Sequence, residues 1–456
     1  MPIPPRTYGA LQIKLRESLL TRTVVLPVQR FIHIQGISSF LLLAAAIVAL
    51  VWANSPWHDS YHHVWEMELT LSKLRLPVHE WINDALMAIF FFLVGMEIKH
   101  EIKHGALSDM RRAALPLFAA IGGMLIPALL FGLINKGHPG EHGWGIPMAT
   151  DIAFSLGVLS MIKGISPNLK VFLLSLAIAD DIGAIAVIAL FYSGSLDRRA
   201  LFAALLLLGV IYGIQKIGVT QPIIYFVLGV GVWVAILRSG IHATIAGVIL
   251  GFMVPTTRAL STADFQEIAS DMMDRFRTAF AEGDDKTLKH LLGAFEELIQ
   301  GTESPAERLT RLLEDWVSFL VLPLFALSNA GVTFSMGAFG DLLTNRLAWG
   351  IVIGLIVGKP LGIVAFSWLA VRCRLAHLPD QVAWQQILGV GMLAGIGFTV
   401  SIFISSLAFD DDSSQLLSAK AAVLGASCVA GVLGYFVLKI RAKTDLITEA
   451  ATNQAA

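Results

Sequence analysis

Between Val171 and Leu190 the chain reads VFLLSLAIADDIGAIAVIAL, an apolar run long enough to cross a bilayer, with two adjacent carboxylates, Asp180 and Asp181, near its middle. An ionisable side chain at the centre of a membrane helix costs about 2.5–3.5 kcal/mol on insertion scales. Two in succession are therefore kept for something done inside the membrane; structure alone would be served by leucine. Successive helix positions are about 100° apart, so the pair addresses one cavity from two directions and titrates as a coupled unit. Such a site is suited to trading a proton for a cation. The plainer reading makes one aspartate the buried partner of a lysine elsewhere.

Composition widens this reading to the whole chain. Its 456 residues are 55% hydrophobic and 15% charged, with a mean hydropathy of +0.71, outside the range of soluble domains. This is the composition of an all-α polytopic membrane protein. Two cysteines, Cys373 and Cys428, exclude a disulfide framework and cysteine-based zinc clusters. Basic residues are dispersed over span ends, so no nucleic-acid partner is expected. No Walker pattern is present and no cofactor is expected.

Apolar runs of about 17–25 residues place twelve spans, centred near residues 44, 91, 124, 155, 181, 208, 229, 247, 322, 358, 397 and 428. The expected organisation is an N-terminal segment 1–33, spans one to eight over 34–255, a helical insert 256–305, spans nine to twelve over 306–440, and a tail 441–456. The N-terminal segment is too long and polar for the start of a cleaved signal peptide. Basic residues gather there (Arg6, Lys14, Arg16, Arg22, Arg30), after span two (Lys99, Lys103, Arg111, Arg112) and in the tail (Lys439, Arg441, Lys443). The positive-inside rule then puts both termini and the insert in the cytoplasm. In the outer stretch near 57–80, EMELTLSKLRL (Glu66 to Leu76) alternates like a β-hairpin. Its exposed edge reads as a solvated loop or as a strand-pairing homodimer contact. The insert carries apolar residues at helical spacing, including Phe265, Ile268, Met272 and Leu288, Leu291, Phe295, which predicts two amphipathic helices with a turn at Gly283 to Asp285.

Spans four and eleven are interrupted, one at Gly145, Pro147 and Ala149-Thr150-Asp151, the other at Gly391, Gly395 and Gly397. They hold matching places in two three-span units, which predicts an inverted repeat with two broken, crossing helices. The exposed dipole ends of broken helices call for counter-charges. Asp151 in span four and Lys359 in the middle of span ten are the candidates, and Lys359 has no nearby interface to which it could snorkel. Thr150 offers oxygen donors for a small hard cation, although a threonine more commonly bonds its own backbone. Asp84 and Glu97 in span two would lie about 20 Å apart along a helix, near opposite ends. Glu97 opens the charged patch EIKHEIKH, which suits a cytoplasmic mouth or an ordinary helix end. The same patch contains His100-Glu101-Ile102-Lys103-His104, a match to the H-E-x-x-H pattern of zinc proteases. That rival from another class lacks a compelling third ligand and leaves Asp180, Asp181 and Lys359 unexplained. A cation channel is the other alternative, since carboxylates in a pore also select cations.

Several stretches together resemble the NhaA family of bacterial Na+/H+ antiporters: WINDALMAIFFFLVGMEIKHE (Trp81 to Glu101), GIPMATDIAFSLGVL, SLAIADDIGAIAVIALFYS, SGIHATIAGVILGF, LPLFALSNAGV, GKPLGI and GIGFTVSIFISSLAF. They run in order from about Trp81 to Phe409, covering nearly all of the membrane part. The resemblance implies a non-enzymatic, electrogenic exchange of Na+ or Li+ for H+, activated at alkaline pH, in the bacterial inner membrane. It implies Asp180 and Asp181 as the ion- and proton-binding pair with Thr150 nearby. Asp151 and Lys359 become the charges that balance the crossed helix ends, Lys359 also pairing with Asp180 and joining the proton exchange. Asp84, Glu97 and Glu101 fall on pathway acids, and His242 on a histidine associated with pH response. Two departures, Thr310, Arg311 and Glu314 at the start of span nine and the insert before it, bear on regulation and leave the transport chemistry untouched.

Overall fold

A computed structural model describes residues 37–71, 74–194, 196–219, 221–257, 262–333, 344–380, 382–410 and 412–455. The N-terminal segment 1–33 lies outside the described residues. The chain enters as α1 (Ile37–Ala53) and turns by 115° into α2 (His58–Glu66). The stretch 57–80 is thus partly helical: α2 is held down by Tyr61, whose hydroxyl donates to the Leu327 and Ser328 carbonyls. The strands β1 (Glu68–Leu71) and β2 (Leu74–Pro77) follow as an antiparallel hairpin, Leu69 opposite Leu76 and Thr70 opposite Arg75.

The apolar runs then become helices, because only a helix satisfies its own backbone in lipid. In order they are α3 (Val78–His104), α4 (Met110–Asn135), α5 (Ile152–Ser160), α6 (Pro167–Phe191), α7 (Arg198–Ile217), α8 (Pro222–Arg238) and α9 (Thr244–Met253). The insert forms α10 (Thr262–Glu282) and α11 (Asp285–Thr302). After them come α12 (Pro305–Asn329), α13 (Arg346–Arg372), α14 (Trp384–Ala394), α15 (Phe398–Ala408) and α16 (Ser413–Ala455). Local chemistry sets the starts: Asp109, Ser166 and Asp197 cap α4, α6 and α7, and Ser304 with Glu307 forms a capping box at α12. Between α10 and α11 the chain turns at Gly283, in the left-handed region at φ 69°, and Asp284 caps α11.

Twelve crossings is more than the helix lengths establish. Among the described residues seven helices are long and apolar enough to cross, or up to nine if each bent pair is one span. The fourth run is broken, and α9, at 10 residues, spans only about 15 Å of a hydrocarbon core about 30 Å thick. The bundle is closed by α13 packing along α4 and α9 along α3. The second contact needs Gly95, where a Cβ would sit 2.7 Å from the Val248 carbonyl oxygen.

Candidate functional site

Pro139–Met148 forms a 3-10 segment that stops at extended residues from Ala149, and α5 restarts after Asp151. In the other unit α14 ends at Ala394 and α15 restarts at Phe398, bent by 46°. The two breaks touch: the Asp151 N–H donates to the Ile396 carbonyl at 2.7 Å. Four helix ends therefore converge in the bundle interior, two starts carrying about half a positive charge each and two ends about half a negative one.

One carboxylate serves both starts. Asp151 Oδ1 accepts from the Phe154 N–H of α5 at 3.0 Å, and Oδ2 accepts from the Thr399 N–H and hydroxyl of α15 at 3.1 and 2.6 Å. Two half-charges match one buried anion. The negative ends are met by donors: Thr150 Oγ1 to the Ala394 carbonyl at 3.0 Å, Ser155 Oγ to Leu393 at 2.8 Å, and Lys359 Nζ to Met148.

Lys359 follows a π-helical turn of α13, Gly354–Gly358, and is fully buried. Its ammonium lies 2.7 Å from Asp180 Oδ2, and the Thr150 hydroxyl stands 2.8 Å from the same oxygen. That hydroxyl has one proton for two acceptors, so a protonated Asp180 could donate to it while it donates to Ala394. The other carboxylate oxygen, Asp180 Oδ1, is buried without a hydrogen-bond partner. Asp181 is 4% exposed and makes no hydrogen bond or ion pair among the described residues. It lies within electrostatic reach of Asp180, Glu97, Lys359 and Asp151. With Asp180 matched by Lys359, Asp181 has no cation of its own. An unpartnered oxygen beside an unmatched carboxylate is a donor set for a small hard cation or a proton.

The remaining candidates are spread out. Glu97 on α3 stands at the margin of the site and also within reach of Glu314 on α12, one of the residues that departs from the family pattern. Glu101, one turn further, ties the end of α3 to α6: its Oε1 accepts from the Ala106 N–H and the Ser175 hydroxyl. Asp84 sits in a π-helical turn at the other end of α3, with Glu80 and Asp410 as its charged neighbours. His242 lies in the turn between α8 and α9, its Nε2 against the Tyr192 carbonyl, about 17 Å along α6 from Asp181. In the H-E-x-x-H match the His100 and His104 rings stack 5.5 Å apart while Glu101 turns to α6. Among the described residues no group of three histidine, cysteine or acidic side chains is placed to hold a metal.

Thr399 and Ser155 escape the sequence reading, although both bond the crossing directly. Their signal was a hydroxyl residue within the first turn of an apolar helix that restarts after a break, the N-terminal pattern of ordinary helices.

A multi-pass helical protein with buried carboxylates at the crossing of two interrupted helices defines the class of secondary transporters. The Na+/H+ antiporter 1 family profile matches residues 29–438. The Na(+)/H(+) antiporter NhaA of Koribacter versatilis is 43% identical over 435 residues, 94% of each chain. The Na(+)/H(+) antiporter NhaA 2 of Syntrophotalea carbinolica is 44% identical over 420 residues, 90% of this chain and 96% of that one. The NhaA of Wolinella succinogenes is 42% identical over 427 residues, 91% and 93%. The chain belongs to the NhaA Na+/H+ antiporter family, itself one of the known cases of the interrupted-helix architecture.

Proposed function

We propose that the protein exchanges Na+ or Li+ for H+ across the bacterial inner membrane, with both termini in the cytoplasm, and works as a transporter without covalent chemistry. One observation carries this reading: Asp180 leaves an oxygen unpartnered beside Asp181, which has no cation of its own. Both carboxylates cannot stay ionised beside the single Lys359 ammonium, so Na+ and protons compete for the place of a second cation. Thr150 lends its hydroxyl to the same group. Lys359 balances Asp180 when Asp180 is ionised and is free to act as a proton carrier when it is not.

Two carboxylates and one ammonium can release more than one proton as one Na+ binds, which makes the exchange electrogenic and lets the proton gradient drive it. Deprotonation at high pH favours Na+ binding and accounts for alkaline activation. Glu97 and Glu101 line the cytoplasmic approach, and Asp84 lies towards the outer one. The hairpin supports a homodimer through its unpaired edge, and the surrounding bilayer is the solvent for the apolar outer face.

The test is proton movement in reconstituted vesicles on adding NaCl, LiCl or KCl over a pH series. Na+- or Li+-evoked proton flux that vanishes in Asp180→Asn/Asp181→Asn supports the reading. Na+ passage without an obligate proton in the native protein would make it a channel.

A further inference from the structure

At the bundle end where α4 finishes and α13 and α16 begin, a cavity of about 300 Å³ lies between the three helices, apart from the crossing. Its walls combine two opposite chemistries. One is cationic: Arg346 Nη1 donates to His138 Nε2 at 2.7 Å. A guanidinium cannot accept, so this bond occupies the His138 Nε2 lone pair and holds the Arg346 side chain at the cavity wall. Arg346 makes no ion pair among the described residues. The N-terminus of α13 adds its positive end, with Asn345 as its cap, whereas that of α16 is already met by the Asp412 carboxylate, which accepts from the Ser414 and Gln415 N–H groups.

The other chemistry is a pair of idle acceptors. Asn135 is fully buried and spends its Nδ2 on the Phe131 carbonyl at 3.1 Å, which leaves Oδ1 at the cavity without a partner. Because Nδ2 is engaged by a carbonyl, the amide cannot be turned round. Gln415 Oε1 is likewise buried, unpartnered and on the cavity wall. A metal cation would suit these two oxygens and be opposed by Arg346; a simple anion would suit Arg346 and leave the oxygens idle. A ligand that fits carries both a phosphate and a hydrogen-bond donor a few bonds away.

The position of the cavity selects the source. It lies at the level where spanning helices end, and each of the three presents an exposed apolar side chain within four residues of it: Leu133, Trp349 and Leu417. Acyl chains would find apolar surface there, with a tryptophan at headgroup level. We propose that this cavity is a headgroup site for a phospholipid bearing an amine or hydroxyl donor, phosphatidylethanolamine or phosphatidylglycerol. The phosphate pairs with Arg346, which His138 holds in place, and the ammonium or hydroxyl donates to Asn135 Oδ1 and Gln415 Oε1.

The experiment is native mass spectrometry of the purified full-length protein offered equal amounts of phosphatidylethanolamine, phosphatidylglycerol and phosphatidylcholine, whose headgroup has phosphate but no donor. The site predicts one retained lipid per protomer and about tenfold less retention of phosphatidylcholine. Arg346→Ala should cut retention by a similar factor and Arg346→Lys restore part of it. Gln415→Leu should narrow the preference over phosphatidylcholine. Na+-evoked proton flux reports that each variant is folded. Equal retention in the native protein and Arg346→Ala, or equal retention of the three lipids, would overturn the proposal. Inorganic phosphate that displaces the lipid and raises Tm as much as the lipid does would assign the cavity to free phosphate instead.

Discussion

Lys359 and Asp180 meet at 2.7 Å with neither side chain exposed, and the same ammonium donates to the Met148 carbonyl at a helix end. The lysine therefore answers two negative groups at once, one permanent and one that can be neutralised by a proton. Removing one member of a buried pair leaves an uncompensated charge and costs about 3–5 kcal/mol. Lys359→Ala should lower the thermal midpoint in detergent by that scale. Adding Asp180→Asn to it should recover a good part of the loss; strictly additive losses would mean that the two do not act as a pair.

Asp181 should behave differently, since no partner depends on it. Asp181→Asn is expected to keep the native Tm while abolishing Na+-evoked proton flux. It should also erase stabilisation by Na+, which for a bound ligand reaches about 2.7 kcal/mol at a hundredfold excess over Kd. A Tm that still rises with Na+ in this variant would place the ion elsewhere.

Thr399 donates its hydroxyl to a charged acceptor, Asp151, at 2.6 Å. Hydrogen bonds to charged groups contribute about 1.5–3 kcal/mol. Thr399→Val should lose that much in chemical or thermal unfolding, and Thr399→Ser should retain most of it. Equal stability of the two variants would show that the backbone N–H alone holds the carboxylate.

In the turn between α8 and α9, burial pushes the His242 imidazole below its ordinary value, although its bond to Tyr192 and the charge of Asp410 pull the other way. A depressed histidine favours the neutral form in the fold: its contribution to stability is present above the ordinary value, about 6.5, and is lost as pH falls through the folded value. At alkaline pH His242 carries no charge to lose. His242→Gln should therefore leave the alkaline limb of the flux profile in place, and a shift of that limb would restore the histidine as its sensor.

Among the described residues the hairpin pairs with no third strand, and an unpaired edge is a template for one. Replacing residues 68–77 by a short glycine-serine link should yield monomers by light scattering with the per-protomer flux retained. Dimers of unchanged mass would take the interface elsewhere.

Much of this was legible because polar atoms in lipid are conspicuous. Asp180, Asp181, Asp151 and Lys359 stood out as charges in apolar runs, and the two breaks announced themselves through Pro147 and Gly395 with Gly397. The pairing of Lys359 with Asp180 was carried by the family resemblance alone, since pairing is set by packing between helices far apart in sequence and leaves no mark in composition or spacing. Thr399 was hidden for the same reason: a lone hydroxyl costs little in a helix, so only the geometry of the crossing reveals its acceptor. Helix length alone establishes fewer crossings than the twelve apolar runs, because broken or short helices such as α5 and α9 fall below the length of a full span.

The bond from the Asp151 N–H to the Ile396 carbonyl has a mechanical meaning. Together with Asp151 to Thr399, Thr150 to Ala394, Ser155 to Leu393 and Ser401 to Ile146, it laces one broken helix to the other. A load applied to either half is passed to both, so the two broken helices form one stiff unit around the buried carboxylates. The seam between α3 and α9 is built differently: no side chain crosses it at Gly95, where a Cβ would meet the Val248 backbone, so that contact is steric and carries no polar tie of this kind.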